Sequence, residues 1–218
     1  MIWLPFQALK LFFTRPRLFA LGVFPGIVTF AVSAAAVYGV WEWLLQSSSL
    51  WISVPSMMVT FLLSWISVGK LSLLPVEDPI IDEVQKATWG NVRLPAPPFS
   101  ARRLLREAGI SLLVAGLALL VLLLAFLPVL APVQFVLIAW LSAYSFLSAF
   151  YGRAHPDLRG RVTLFFQHPL SNFFLGALLN VLLFIPVVNV FLLGFAQILA
   201  TLVHLRRTDL EDPSRSAP

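Results

Sequence analysis

The stretch from Phe173 to Val203 carries no formal charge and is interrupted in its middle by Phe184-Ile185-Pro186-Val187-Val188-Asn189-Val190. As one helix it would run roughly 46 Å, against a bilayer hydrocarbon core of about 30 Å. Pro186 removes a backbone donor and biases Ile185 away from the helical region. The sequence therefore predicts two helical arms, Asn172 to Phe184 and Val187 to His204, meeting at a turn. The first arm, at roughly 20 Å, is too short to cross. A re-entrant hairpin fits this pattern if protein or water-filled space covers the freed backbone groups. A full hairpin in a thinned bilayer and a single kinked, tilted span fit it as well. Pro186 and Asn189 mark the structural turn, and the Asn189 amide is read as satisfying backbone groups freed there.

The rest of the chain has the same character. It is 59% hydrophobic and 11% charged, with several uncharged runs long enough to span, which defines a polytopic integral membrane protein. Its length implies one membrane domain, residues 1–207, followed by a polar tail, 208–218, that reads as disordered. The net charge of +5 could suggest nucleic acid, but the basic residues flank apolar segments and so report topology instead. The absence of cysteine excludes disulfides, thiol catalysis and cysteine-ligated zinc. His155, His168 and His204 lack metal-ligand spacing. No nucleophile, phosphate loop or metal motif accompanies Glu77, Asp78, Asp82, Glu83 and Glu107, so the chain reads as neither an enzyme nor a cofactor protein.

From the N-terminus, Ile2, Trp3, Phe6, Leu9 and Phe13 recur at helical spacing, as in an interfacial helix. Leu18 to Leu45 is the first transmembrane segment. Arg15 and Arg17 ahead of it, with Ala34 and Ala36 within it, also resemble a cleavable signal, but the apolar run continues well past that point. Gln46 to Ser49 is a short turn and Leu50 to Gly69 the second span. Asp78 and Pro79 then read as the start of a separate amphipathic helix, with Ile80, Ile81, Val84 and Thr88 on its apolar face and Gly90 ending it. Pro95, Pro97 and Pro98 form a stiff linker. Ser100 opens a helix that carries Gly109 to Leu127 into the bilayer, Pro128 and Pro132 break it, and Val133 to Tyr151 returns. Gly152 to Ser171 reads as a polar connector, and the segment after Leu205 as a charged tail.

All 15 Lys and Arg residues fall in the N-terminal segment, Lys70 to Arg106, Arg153 to Arg161, or after His204. If each apolar hairpin leaves and returns on one side, every basic region shares a face, which the positive-inside rule makes cytoplasmic.

Ordered landmarks over nearly the whole chain resemble the CysZ family of bacterial sulfate permeases and its etoposide-induced eukaryotic relatives. They are Pro75-Val76 followed by Asp82, Val84 and Gly90; Arg106-Glu107; Ala139-Trp140 and Tyr151; Asn172 to Ala177; and Ile185 to Asn189 with Ala200-Thr201. The resemblance implies two long transmembrane helices, two partly inserted helical hairpins, homo-oligomers, and transport of sulfate or a related oxyanion across the inner membrane. Where the family carries a Pro-Gly-Leu/Ile-Arg-Arg stretch, this chain has Pro16-Arg17-Leu18-Phe19-Ala20, with Arg17 in place of the glycine and Phe19 and Ala20 in place of the two arginines.

The expected fold is thus an all-α integral membrane protein with two long transmembrane helices, two apolar hairpins, full or re-entrant, and interfacial amphipathic helices. Arg15 and Arg17, at a helix N-terminus, are the candidate anion site, against ordinary flanking charge or lipid contact. Arg106 and Glu107 are candidates for an entry path, against a solvated or topological role. Asn180, Asn189 and Gln197 are read first as hydrogen-bonding between helices or at the turn. The partners implied are the bilayer, a small inorganic anion and further copies of the chain. A non-transporting membrane scaffold is the other function the sequence allows.

Overall fold

The computed structural model describes residues 3–45, 50–92, 96–98, 100–123, 128–154, 157–183 and 186–211. They form α1 (Leu4–Thr14), α2 (Pro16–Leu45), α3 (Leu50–Trp89), α4 (Ala101–Leu123), a 3-10 turn (Pro128–Leu130), α5 (Ala131–Ala154), α6 (Leu158–Phe166), α7 (Pro169–Leu183) and α8 (Pro186–Glu211). Among these residues Pro16–Trp43, Ala101–Val121 and Ala131–Arg153 are long and apolar enough to cross a membrane. The all-α membrane architecture read from the sequence is therefore present.

Proline placement explains several of the helix starts. Pro16 opens α2, Pro132 lies in the first turn of α5, and Pro169 and Pro186 begin α7 and α8, positions where a missing N–H costs nothing. Ser100 caps α4 by accepting the Arg103 N–H at 3.2 Å, and Gly90 ends α3 with φ of 76°. The hairpin arms α4 and α5 both reach spanning length. In the last hairpin α7 has only 15 residues, roughly 22 Å, which is short of the hydrocarbon core. It meets α6 at 94°, as in a broken span or re-entrant segment. The turn residues Phe184 and Ile185 lie outside the described set.

Three expectations are corrected. The amphipathic helix expected to start at Asp78 is not separate, because α3 runs unbroken for 40 residues through Pro75 and Pro79. The Asp78 carboxylate is taken by arginines from other helices and does not cap. The amphipathic pattern itself holds, since Ile80, Ile81 and Val84 are fully buried. The connector after Gly152 contains α6, whose start Asp157 caps by accepting the Gly160 N–H at 2.8 Å. At the chain's end α8 continues past Leu205, and Arg207 is buried.

The core is built around α8, which packs against α2, α3, α5 and α7, with α1 laid against it through Leu4, Ala8 and Phe12. The opposite side of α1 leaves Trp3, Phe6, Leu9 and Phe13 exposed, as an interfacial helix requires. Within α2, Pro25 supplies no N–H, yet its carbonyl is well used. It accepts from Thr29 Oγ1 at 2.7 Å and from Ser72 Oγ of α3 at 3.2 Å, a polar tie between these two long helices. Ser142 Oγ meets Asn180 Oδ1 at 2.8 Å, so Asn180 joins α5 to α7 as the sequence suggested.

Candidate functional site

Asp78 and Asp82 stand one helical turn apart on α3 and so share a face. Arg153, at the end of α5, reaches both: Nε to Asp78 Oδ1 at 3.1 Å, Nη1 to Asp82 Oδ1 at 2.6 Å, and Nη2 to the Asp78 carbonyl at 2.8 Å. Arg103, in the first turn of α4, approaches Asp78 Oδ2 at 2.8 Å and donates to the Pro97 carbonyl at 2.9 Å. The Arg153 side chain is 1% exposed. This set of charges locks the start of α4 and the end of α5 onto the C-terminal third of α3.

Beside it opens a cleft of about 360 Å³ lined by Arg17, Asp78, Asp82, Glu83, Lys86 and Arg103, with Pro75 and Pro79 in its wall. Because Pro79 lacks an N–H, the Pro75 carbonyl has no intrahelical donor at this wall. Asp78, Asp82 and Arg103 are engaged by short contacts. Arg17 is held more loosely. Among the described residues it has a single side-chain contact, Nη1 to Glu83 Oε2 at 3.5 Å, and its side chain is 66% exposed while that of Glu83 is 17% exposed.

The structure separates the residues that the sequence grouped. Arg17 lines the cleft, whereas Arg15 is exposed outside it. The Arg15 N–H closes α1 on the Leu11 carbonyl at 3.1 Å, and its carbonyl accepts the Phe19 N–H at 3.0 Å to begin α2. With Pro16 unable to donate, only the Arg17 and Leu18 amides of this helix start lack an intrahelical acceptor. Arg106 and Glu107 do lie together, at 3.7 Å, but away from the cleft. Glu107 faces Arg161 of α6 through two contacts, Oε2 to Nη1 at 2.7 Å and Oε1 to Nη2 at 2.5 Å. Pro186 begins α8, and the Asn189 side chain lies outside the described residues.

Sequence reasoning took Arg103, Arg153 and Arg161 as flanking charges and did not pair them. The available signal was the Asp78/Asp82 spacing, which presents two carboxylates on one face and calls for a cation. For Arg161 the signal was Asp157 ahead of Leu158, Val162 and Phe165 at helical spacing. A third buried cation, Arg207, donates to Asn172 Oδ1 at 2.8 Å and Ser171 Oγ at 2.6 Å, tying α8 to the start of α7.

An all-helical polytopic membrane protein, with ion pairs gathered where α2 and α4 begin and α5 ends, is the class this architecture defines. Residues 4–193 match the family described as sulfate transporter CysZ/etoposide-induced protein 2.4, and the chain belongs to it. No curated protein matches the chain.

Proposed function

We propose that this protein is an inner-membrane permease or channel-like protein for sulfate or a related oxyanion, and that Arg17 and Lys86 in the cleft receive the anion. The observation that carries this reading is the state of Arg17. It is the cleft arginine without a short ion pair, and it stands in the first turn of a spanning helix. A partly hydrated, exposed guanidinium can exchange a weak partner for a doubly charged oxyanion and bind it bidentately. Lys86 adds a second, compact positive charge on the same cleft. Arg15, outside the cleft, contributes long-range attraction.

Glu107 is engaged by Arg161, which leaves the exposed Arg106 as the member of that pair suited to an entry path. In this reading Pro186 and Asn189 shape the turn of the last hairpin, the basic segments face the cytoplasm, and the working unit is a homo-oligomer. The protein carries out no chemical step and needs no cofactor. Anion passage is driven by a gradient or a partner.

One observation favours the alternative of a scaffold. The cleft's three cations, Arg17, Lys86 and Arg103, are matched by three acids, Asp78, Asp82 and Glu83, so it carries no excess positive charge. Sulfate uptake into liposomes holding the purified protein decides between the two. Uptake above empty vesicles that is lost in Arg17→Ala supports the permease. Uptake equal to empty vesicles, with folded protein incorporated, rejects it.

A further inference from the structure

We infer that Glu83 is an internal competitor for the anion: its carboxylate occupies the place on Arg17 that an incoming oxyanion must take. This rests on the permease reading and names the residue that regulates its capture step. The groups around the cleft divide by how firmly they are held. Asp78 is bound by both Arg103 and Arg153, and Asp82 by Arg153, all through contacts of 3.1 Å or less. Those carboxylates stay in place when an anion arrives, because freeing either would take from Arg153, 1% exposed, one of its two counter-charges. Glu83 has a different position. It is one residue beyond Asp82 on α3, and it meets Arg17 through a single contact at 3.5 Å.

The two partners of this contact differ in freedom. Glu83, largely covered, is fixed by the helix that carries it, whereas Arg17 is mostly in solvent and can swing. A carboxylate and a sulfate present similar oxygens to a guanidinium, so they compete for the Nη1 edge of Arg17 that Glu83 holds. The cleft is then closed to anions for the fraction of time that Arg17 rests on Glu83. Observed affinity equals the intrinsic affinity reduced by that fraction. An exposed pair of this kind is weak, so the reduction is modest and the latch opens readily. Lys86, one turn away from Asp82 on the same cleft, stays available to hold the anion once Arg17 has left Glu83.

Two substitutions separate a latch from a general field effect. Glu83→Gln removes both the contact and the negative charge. Glu83→Asp keeps the charge in the cleft but draws the carboxylate back by one methylene, away from an arginine already at 3.5 Å. Sulfate binding is measured by titration calorimetry on the purified full-length protein at low ionic strength, with Arg17→Ala as reference and thermal unfolding as a folding check. The latch predicts that both Glu83 variants bind sulfate about two- to tenfold more tightly than wild type. A Glu83→Asp protein that matches wild type while Glu83→Gln gains affinity overturns the latch in favour of simple repulsion. Two Glu83 variants with unchanged affinity overturn it as well, while loss of binding in Arg17→Ala alone leaves the anion site standing. Unchanged binding in Arg17→Ala, or no binding by any of the proteins, overturns both the latch and the site on which it rests.

Discussion

Arg161 of α6 and Glu107 of α4 face each other as a two-pronged ion pair, with N–O distances of 2.7 and 2.5 Å and no exposure of the Arg161 side chain. Gly152 makes room for it: a Cβ there would lie 2.8 Å from Nη2 and 2.9 Å from Cζ of Arg161. The guanidinium thus lies flat against the last turn of α5 while its edge meets the carboxylate, so one side chain joins α4, α5 and α6. Removing the carboxylate takes the two-pronged counter-charge from a buried cation, a loss of about 3–5 kcal/mol in comparable sites. Glu107→Ala is expected to lower the unfolding temperature of the detergent-solubilised protein far more than Arg106→Ala. Arg106 is 44% exposed and, among the described residues, makes a 3.7 Å contact with Glu107 alone, so its loss should change stability by no more than about 1 kcal/mol. Equal effects in thermal unfolding would remove the structural role given to the pair.

Arg153 permits a finer distinction. Lysine retains its charge but not the planar fork that reaches Asp78, Asp82 and the Asp78 carbonyl together. Arg153→Lys should therefore destabilise by about 1–3 kcal/mol, the cost of leaving a buried acceptor imperfectly paired. Arg153→Met, which leaves Asp78 and Asp82 without this cation, should do worse. Thermal unfolding ranks the three proteins, and a Lys variant equal to wild type would show that charge alone suffices.

The fold was largely readable because membrane insertion enforces simple rules: apolar length, proline breaks and the placement of charge. Pro186 begins α8, and Ser100 opens α4 as its capping chemistry predicts. What was hidden has a common cause. Pro75 and Pro79 look like a helix boundary locally, but α3 continues because Ile80, Ile81 and Val84 are buried and the Asp78 carboxylate is held by Arg103 and Arg153 from distant parts of the chain. Arg161 and Arg207 look like loop and tail charges until Glu107 and Asn172 are brought to them. Of the candidate site, Arg17 was legible from its place before an apolar run, whereas Glu83 and Lys86 reached it only through the packing of α3 beside α2.

Where α8 crosses α2, Gly194 and Gly22 touch backbone to backbone, and a Cβ built on Gly194 would overlap the Gly22 Cα. Such contacts let helices approach closely in a medium where hydrophobic burial between helices gives little. Gly194→Ala must force the helices apart, and overpacking of this kind costs about 1–3 kcal/mol. Gly39→Ala is the control, since nothing lies within 4 Å of a Cβ there. The expected result is a lower unfolding temperature for Gly194→Ala and none for Gly39→Ala. Indistinguishable melting of the two would mean that α8 has room to move at this crossing.

The sidedness of the chain can be measured directly because it contains no cysteine, so any single introduced thiol is the only one to react. Lys10, Arg102 and Arg159 are all exposed and belong to three separate basic segments, while Trp43, 70% exposed, lies at the far end of the first span. The positive-inside rule places the three basic positions on the cytoplasmic face and Trp43 across the membrane. In right-side-out and inside-out vesicles, a membrane-impermeant maleimide should therefore label Lys10→Cys, Arg102→Cys and Arg159→Cys from one side and Trp43→Cys from the other. The Arg159 variant is the most informative. Position 159 follows α5, so it returns to the side of position 102 only if α4 and α5 enter and leave by the same face. That holds for a full hairpin or a re-entrant one, and it fails for an odd number of crossings. Labelling of Arg159→Cys from the Trp43 side would overturn the shared basic face and, with it, the idea that Arg17 and its cleft face the cytoplasm.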